Sequence, residues 1–487
     1  MYSLQDIELV NEKIDDIIEG IEEKKLDIFE PTKKEVMAAY EVVLEYIKEK
    51  KRKVYGGYSQ NKAVVAKEPK DTFYKETAIP DIDYYSPEPL LDVKNLCDKL
   101  YAAGFKGVEG AQAAHSETYK VFVNGANVSD ISYVPKNIYN KIPFHVIDEI
   151  HYVHPSFIYL DLYRIMTEPY FSSRIWKKVF PRLYKLQKHY PFNKASRALN
   201  NAYNIPKDKQ EQVKNINKTI LNEIKNKDTI FVIGQYAYNC FLEESGILKD
   251  KSIKNKYSLI PIPFMQLIST NYISDTVELI RVLQKTYSNK ITYNEFYPLW
   301  QFTGYSTVVY YDQFPILNIL HYNDRCTPIR HCNGIQIGSF DYIFYMNLVS
   351  LLRVKTNEVE DKIHYHNIMT SQLIEIRDYY FKKTKKNLLD DTLFQSFIAD
   401  CIGKGYDPVR ESRERMMKKR EQGKMTVWRY HPESPRDIPD YKFANTSGNL
   451  INKTRNLKIK KYINNPELLE KMNTDEQEEQ EQEDQEE

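Results

Sequence analysis

Two aspartates separated by one apolar residue constrain this chain more than any other stretch. They sit in Ile79-Pro80-Asp81-Ile82-Asp83-Tyr84-Tyr85. Alternating polar and apolar residues read as a strand, and side chains at i and i+2 share one face of it. Asp81 and Asp83 would then lie roughly 6–7 Å apart at their Cα atoms and repel unless something positive stands between them. A hard divalent cation suits that place, since carboxylate oxygens are its preferred ligands. Ile82 faces the core and fixes the strand. Upstream, Val54-Tyr55-Gly56-Gly57-Tyr58-Ser59 ends an apolar run in two glycines. Gly56 and Gly57 let backbone N–H groups approach an anion closely. The Ser59 hydroxyl can donate to a phosphate oxygen, and a helix beginning at Ser59 would add its positive N-terminal end.

A third carboxylate belongs with these. Tyr119-Lys120-Val121-Phe122-Val123 reads as a strand, Asn124-Gly125 as a tight hairpin turn, and Ala126 to Val134 as the return strand carrying Asp130. If that strand neighbours the Asp81 strand, three carboxylates converge. Three carboxylates and a triphosphate can hold two Mg²⁺ or Mn²⁺ ions. One ion would lower the pKa of an attacking hydroxyl, and the other would neutralise charge on departing pyrophosphate.

The chain has 487 residues, enough for two to four domains, and 42 % hydrophobic residues supply a core. Net charge is +1, but residues 475–487 carry nine carboxylates and no base, so the rest of the chain is +10. A basic body with an acidic tail points to polyanion contact, with a tail able to shield that surface. The five cysteines are scattered and lack zinc-ligand spacing, which fits a reducing compartment and no structural metal. No signal peptide is visible and no apolar run reaches about 18 residues, so a soluble intracellular protein without membrane contact is expected.

Residues 3–50 read as two amphipathic helices, the first capped by Ser3 and the second starting near Pro31-Thr32, and both should pack on something. Residues 228–330 repeat the plan of the earlier segment. Thr229 to Tyr236 matches the strand and glycine turn at 52–58, Ile260 to Thr270 matches the Asp81 strand, and Thr307 to Tyr322 matches the 119–133 strand pair. Alignment puts Gln266 and Ile268 at the places of Asp81 and Asp83, and Asn318 at that of Asp130, so the second copy has no carboxylates and cannot hold two ions. Residues 404–429 hold nine Lys/Arg and four Asp/Glu and read, with everything after them, as poorly packed arms. Within them Trp428 and Tyr430 flank Arg429, an arrangement suited to stacking on bases. Ser116 is a nucleotide-contact candidate, weaker than a plain loop reading. Arg164, with Lys177 and Lys178, is weighed against a simple Asp161–Arg164 ion pair on a solvated helix face.

Gly56-Gly57-x-Ser59, Asp81-x-Asp83 and Asp130 resemble the motif set of the polymerase-beta-like nucleotidyltransferases. More closely, VYGGYSQN, DIDYYS, the 119–135 hairpin and HPSFIYLDLYRIMTEP resemble the poly(A) polymerase catalytic subunits of large nucleocytoplasmic DNA viruses, mimivirus-like members above all and poxvirus enzymes distantly. The resemblance implies an α/β (α+β) fold with two tandem nucleotidyltransferase domains, the second degenerate. The boundaries expected are an N-terminal helical element at 1–50, a catalytic domain at 51–200, a degenerate domain at 201–390, and a basic segment with a disordered acidic tail at 391–487. It implies template-independent addition of AMP from ATP to an mRNA 3′ end, with Asp81, Asp83 and Asp130 catalytic and metal-binding and Gly56, Gly57 and Ser59 holding the triphosphate. RNA and ATP are the implied partners, with a homodimer or a separate processivity subunit left open. Virion and host-cytoplasm viral factory are the expected locations. The rivals are a CCA-adding or other terminal nucleotidyltransferase, and an inactive RNA-binding scaffold.

Overall fold

The computed structural model describes residues 3–28, 32–74, 79–114, 117–193, 199, 203–250, 252–253, 256–322, 326–403, 408–423, 427–435, 459–469 and 471–472. It is a mixed α/β protein in two compact units. The first comprises Met1–Ile158, Tyr184–Tyr190 and Asp407–Ala444, and the second Tyr159–Leu183, Pro191–Tyr406 and Asn445–Glu487.

Each unit is built on one eight-stranded sheet. In chain order the strands are β1 (Lys53–Tyr55), β2 (Ile82–Ser86), β3 (Glu109–Gln112), β4 (Thr118–Val123), β5 (Ala126–Tyr133), β6 (Phe144–Ile147), β7 (Ile150–Val153), β8 (Ile230–Ile233), β9 (Met265–Ser269), β10 (Ile291–Phe296), β11 (Ser306–Tyr311), β12 (Phe314–His321), β13 (Thr327–Cys332), β14 (Ile335–Gly338), β15 (Cys401–Ile402) and β16 (Arg429–Tyr430). The first sheet runs β16-β3-β4-β5-β2-β1-β7-β6 and the second β10-β11-β12-β9-β8-β14-β13-β15. Seven strands correspond one to one in order. Only the added edge differs: β16 extends the first sheet beside β3, and β15 the second beside β13.

In the first unit one sheet face is apolar. Val54, Ile82, Tyr84, Val121, Val128 and Ile131 pack under the helices Lys33–Lys50 and Pro89–Ala102. The other face is mixed: Asp83 and Asp130 share it with Tyr85, buried and stacked on Tyr55, and with buried Val153. Thr32 caps the first of these helices, its hydroxyl accepting from the Glu35 N–H at 3.3 Å. Buried Asp92, in the first turn of the second helix, accepts from Tyr46 at 2.8 Å and from Arg52 at 2.8 Å. That pairing ties both helices to the chain entering β1. The second unit repeats the device. Asp275 lies nine residues beyond Gln266, as Asp92 lies nine beyond Asp83. It accepts from Thr229 at 2.8 Å and Ser269 at 2.6 Å.

Several expectations need correction. The helix Leu4–Ile28 is capped as expected, with Asp6 N–H donating to Ser3 Oγ at 3.2 Å. Its apolar stripe is not packed: Ile7, Val10, Ile14, Ile17 and Ile21 are exposed. Helical spacing guarantees a stripe but not a partner. The helix Lys33–Lys50, by contrast, is part of the first unit's core rather than of a separate N-terminal element. Residues 404–429 are not all arm. A helix spans Pro408–Glu421, and β16 pairs antiparallel with β3. Trp428 and Tyr430 are buried in the first core, Trp428 edge-on to Tyr119 at 5.8 Å and Tyr430 donating to Asp98 at 2.6 Å. They are therefore unavailable for stacking on bases. The acidic tail at 475–487 and residues 453–458 lie outside the described residues. The cysteines are not all free thiols. Cys240–Cys332 and Cys326–Cys401 pair as disulfides with Cα–Cα separations of 6.3 and 5.2 Å, and Cys97 is free and buried. Their separations of 92 and 75 residues hid the pairing from any spacing argument.

Because Trp428 closes the core from far along the chain, Trp428→Ala should destabilise the first unit by about 3–5 kcal/mol. The check is chemical denaturation followed by a probe in that unit; an unchanged midpoint would mean β16 is a passive edge.

Candidate active site

β1 is short and ends in Tyr55, and the next helix, Gly56–Val65, begins at once. It starts at Gly56, not Ser59. Gly56 has φ +69°, a conformation that costs glycine nothing and other residues strain. A Cβ there would collide with the Asp83 carboxylate. The glycine thus lets an acidic side chain lie directly against a helix start. No side chain caps this helix. The N–H groups of its first turn have no intrahelical acceptor, the feature by which helix starts bind anions.

Asp83 sits between two neighbours in the sheet. It is the Cα partner of Tyr55 on antiparallel β1 and of Asp130 on parallel β5. Partners in register project to the same face, so Asp83 and Asp130 stand side by side on the face opposite the core. Asp81 comes two residues before Asp83 and just outside the strand, which begins at Ile82. Ile82 is fully buried in the core. Tyr40 reports on all three carboxylates: burial first, and then Asp81, Asp83 and Asp130, push its phenol pKa up.

A β-bulge aims Asp130. The turn at Asn124-Gly125, with φ +46° and +80°, pairs Val123 with Ala126 and Phe122 with Asn127. The register then shifts, so that Val121 pairs with Ser129 and Lys120 with Asp130. Val128 is the extra residue. Bulges of this kind turn the following side chains to the opposite face. Both Val128 and Ser129 are consequently buried, and Asp130 emerges on the charged face.

There Asp130 meets a cation that motif reading missed. Lys120 Nζ donates to Asp130 Oδ1 at 2.8 Å and Oδ2 at 2.7 Å, and Asn127 Nδ2 donates to Oδ1 at 2.8 Å. The signal was present: in Thr118-Tyr119-Lys120-Val121, Lys120 alternates with core residues. What could not be read was its partner. Among the described residues no three His, Cys, Asp or Glu side chains stand together as a metal centre. The expected three-carboxylate cage is therefore two register partners, a third carboxylate outside the strand, and an ammonium on Asp130. That ammonium is a stand-in cation. Two in-register carboxylates, one of them already paired with an ammonium, are a donor set that fits a hard divalent ion.

The remaining candidates divide. Gly57 is partly exposed within the first helical turn. Ser59 is fully buried, its hydroxyl directed to the Val153 carbonyl of β7 at 3.3 Å, so it cannot hold a triphosphate as expected. Helical periodicity turns position 59 inward once the helix starts three residues earlier. Asp161 and Arg164 form an ion pair at 3.3 Å. His115 and Ser116 lie outside the described residues.

The second unit holds the same scaffold with different chemistry. Gly234 also has φ +69°, starts the uncapped helix Gly234–Ser245, and would collide through a Cβ with Gln266. Gln266 pairs with Ile233 on β8 and with Asn318 on parallel β12. The bulge recurs between Val309 and Tyr310. This register corrects the sequence alignment. Gln266 stands where Asp83 does, not Asp81; the place of Asp81 falls on Phe264; Asn318 stands where Asp130 does. Two carboxamides have replaced two carboxylates.

Two family models match the chain: "Poly(A) polymerase catalytic subunit" over residues 41–172, and one for the C-terminal part of the APMV poly(A) polymerase catalytic subunit over residues 207–461. A poly(A) polymerase catalytic subunit of Acanthamoeba polyphaga mimivirus is 32% identical over 486 residues, covering 92% of this chain and 83% of that protein. The corresponding protein of African swine fever virus is 35% identical over 164 residues, 32% of this chain and 34% of its own length. The crystal structure of the Megavirus polyadenylate synthase superposes with a TM-score of 0.84 at 32% identity over 92% of both chains.

Gly56→Ala must displace Asp83 or break the helix start. We expect a stability loss of about 1–3 kcal/mol from strain at positive φ alone. The measurement is thermal unfolding beside Gly57→Ala, whose φ is not positive and which should cost less. Equal losses would mean the Asp83 contact is not what requires the first glycine.

Proposed function

Since the chain belongs to the family of poly(A) polymerase catalytic subunits, we propose that it adds AMP from ATP to the 3′ end of mRNA, without a template, at the Asp83–Asp130 site of its first unit. The observation carrying this reading is the pairing of two carboxylates in register beside an uncapped helix start.

The chain's own groups divide the work. The N–H groups at Gly56 and Gly57 bind phosphate oxygens of ATP, their dipoles already aligned before substrate arrives. Asp81, Asp83 and Asp130 hold divalent ions, Mg²⁺ or Mn²⁺; when bound, such ions neutralise phosphate charge and lower the pKa of a coordinated hydroxyl. Asp130, on β5, is the candidate to help activate the RNA 3′ hydroxyl. Asn127 and Lys120 fix its carboxylate meanwhile, so that its two oxygens do not rotate. Lys120 would compete with a divalent ion for the Asp130 carboxylate, since both are cations and its ammonium occupies both oxygens.

Primer extension with labelled RNA and each NTP separately tests the reading. ATP should give long tails and the other nucleotides little; equal use of CTP would favour a CCA-type enzyme. Asp83→Asn and Asp130→Asn should each lower AMP incorporation by about 10³-fold or more with the fold intact. Persistent tailing in both variants would remove the site assignment and leave an RNA-binding scaffold as the better account. Lys120→Met should lower the Mg²⁺ concentration for half-maximal rate several-fold, in the manner of a removed competitor. If more Mg²⁺ is needed instead, Lys120 is an orienting group.

A further inference from the structure

The second unit has lost its carboxylates but not its cleft. A cavity remains between the start of the Gly234 helix, the β9 and β12 positions of Gln266 and Asn318, and the helices Phe340–Thr356 and Glu360–Thr384. Its walls are apolar, with Leu320, Ile343, Met346 and Met369 among them. Three polar groups in its lining bear on what it can bind. Asn318 is 8% exposed and its Oδ1 has no hydrogen-bond partner; Gln235 is 4% exposed and its Oε1 has none. The third is the Arg353 guanidinium, which also lines the cavity.

Two other polar lining residues, His366 and Asn347, are held by hydrogen bonds, and the Gln235 side chain also meets the Tyr365 hydroxyl. His366 is locked between Asn347 Oδ1 at 2.7 Å and the Tyr203 hydroxyl at 3.0 Å. Asn347 Nδ2 donates to the Thr370 hydroxyl at 2.7 Å. This network holds one wall rigid while the opposite wall offers orphaned acceptors. A buried acceptor without a donor costs about 1–3 kcal/mol, so a ligand that supplies N–H groups is stabilised there.

The ligand's chemistry follows from the lining. Amides cannot replace carboxylates around Mg²⁺, and the apolar part of the lining favours a ligand with apolar faces. A flat ring with apolar faces and a polar edge fits. Carboxamides read such edges, as Asn and Gln do with the amino group and ring nitrogen of adenine. The cavity offers about 40 Å³ of water-accessible space, room for the edge of a base with its sugar left outside.

We infer that the cleft of the second unit takes a nucleobase edge-first, an adenine, with its exocyclic amino group donating to Asn318 Oδ1 and Gln235 Oε1 and Arg353 donating to a ring nitrogen. Of the two reading groups, Asn318 stands at the register position that Asp130 holds in the first unit, and Gln235 follows Gly234 at the place of Gly57. The inference does not depend on catalysis in the first unit.

The test is equilibrium binding of adenosine to the full chain in EDTA, by calorimetry or ligand-detected NMR. An Asp83→Asn/Asp130→Asn background keeps the first unit constant. Asn318→Leu and Gln235→Met should each weaken adenosine binding about tenfold, and uridine, which lacks the amino group, should bind more weakly than adenosine. Hexa-adenylate loses affinity in the same variants if the pocket takes a base of an RNA strand, and keeps it if the pocket takes only the free nucleoside; either result supports the pocket. Each variant is compared at matched thermal stability. Adenosine affinity unchanged in both folded variants, uridine binding as well as adenosine, or no binding at millimolar concentration overturns the inference.

Discussion

Two like charges held in register on adjacent parallel strands cannot be left alone. Strands lie about 4.8 Å apart, and at an effective dielectric of 20 two carboxylates at that distance repel by roughly 3 kcal/mol. Asp83 and Asp130 are placed this way by the β2–β5 pairing. The Lys120 ammonium offsets the charge of one partner, Asp130. Everything around the pair serves the same constraint. The covered apolar face fixes the sheet, the bulge at Val128 aims Asp130, and the positive φ of Gly56 makes room for Asp83.

The second unit is the same construction with the charge removed. Gln266 and Asn318 occupy the same register positions, the bulge recurs, and a buried aspartate again anchors the helix after the central strand. Amides in register do not repel, so no cation is required and the cleft is free to face an uncharged partner. Hydrophobic scaffold and site chemistry have separated: the apolar positions repeat while the polar pair has changed identity. A glycine at each helix start outlasts the change, since Gln266 needs the same space as Asp83.

Much of the first unit was legible because its signals are local. Alternation marked β2, β4 and β5, the Asn124-Gly125 pair marked the hairpin, and the aspartates stood out as charges at alternating positions. Two of the misses come from strand register. Counting back from the hairpin turn sets Asp130 opposite Tyr119; the bulge moves it to Lys120. The Gly234 alignment slipped by two residues for lack of strand partners to fix it. Ser59 looked like a phosphate ligand only while the helix was thought to begin there. Trp428 and Tyr430 looked like surface aromatics in a basic arm because nothing local reveals that a strand from residue 429 completes a sheet begun near residue 53.

The sequence by itself determined the inventory: two copies of a strand, glycine turn and strand pair, carboxylates in one and amides in the other, and an apolar face for each sheet. These follow from residue type and periodicity, which are properties of neighbours along the chain. Tertiary structure alone decided which charges meet. Asp83 beside Asp130, Lys120 on Asp130, and Gln266 beside Asn318 depend on strand order and on one inserted residue in the ladder, and a shift of a single position would send every side chain beyond it to the other face.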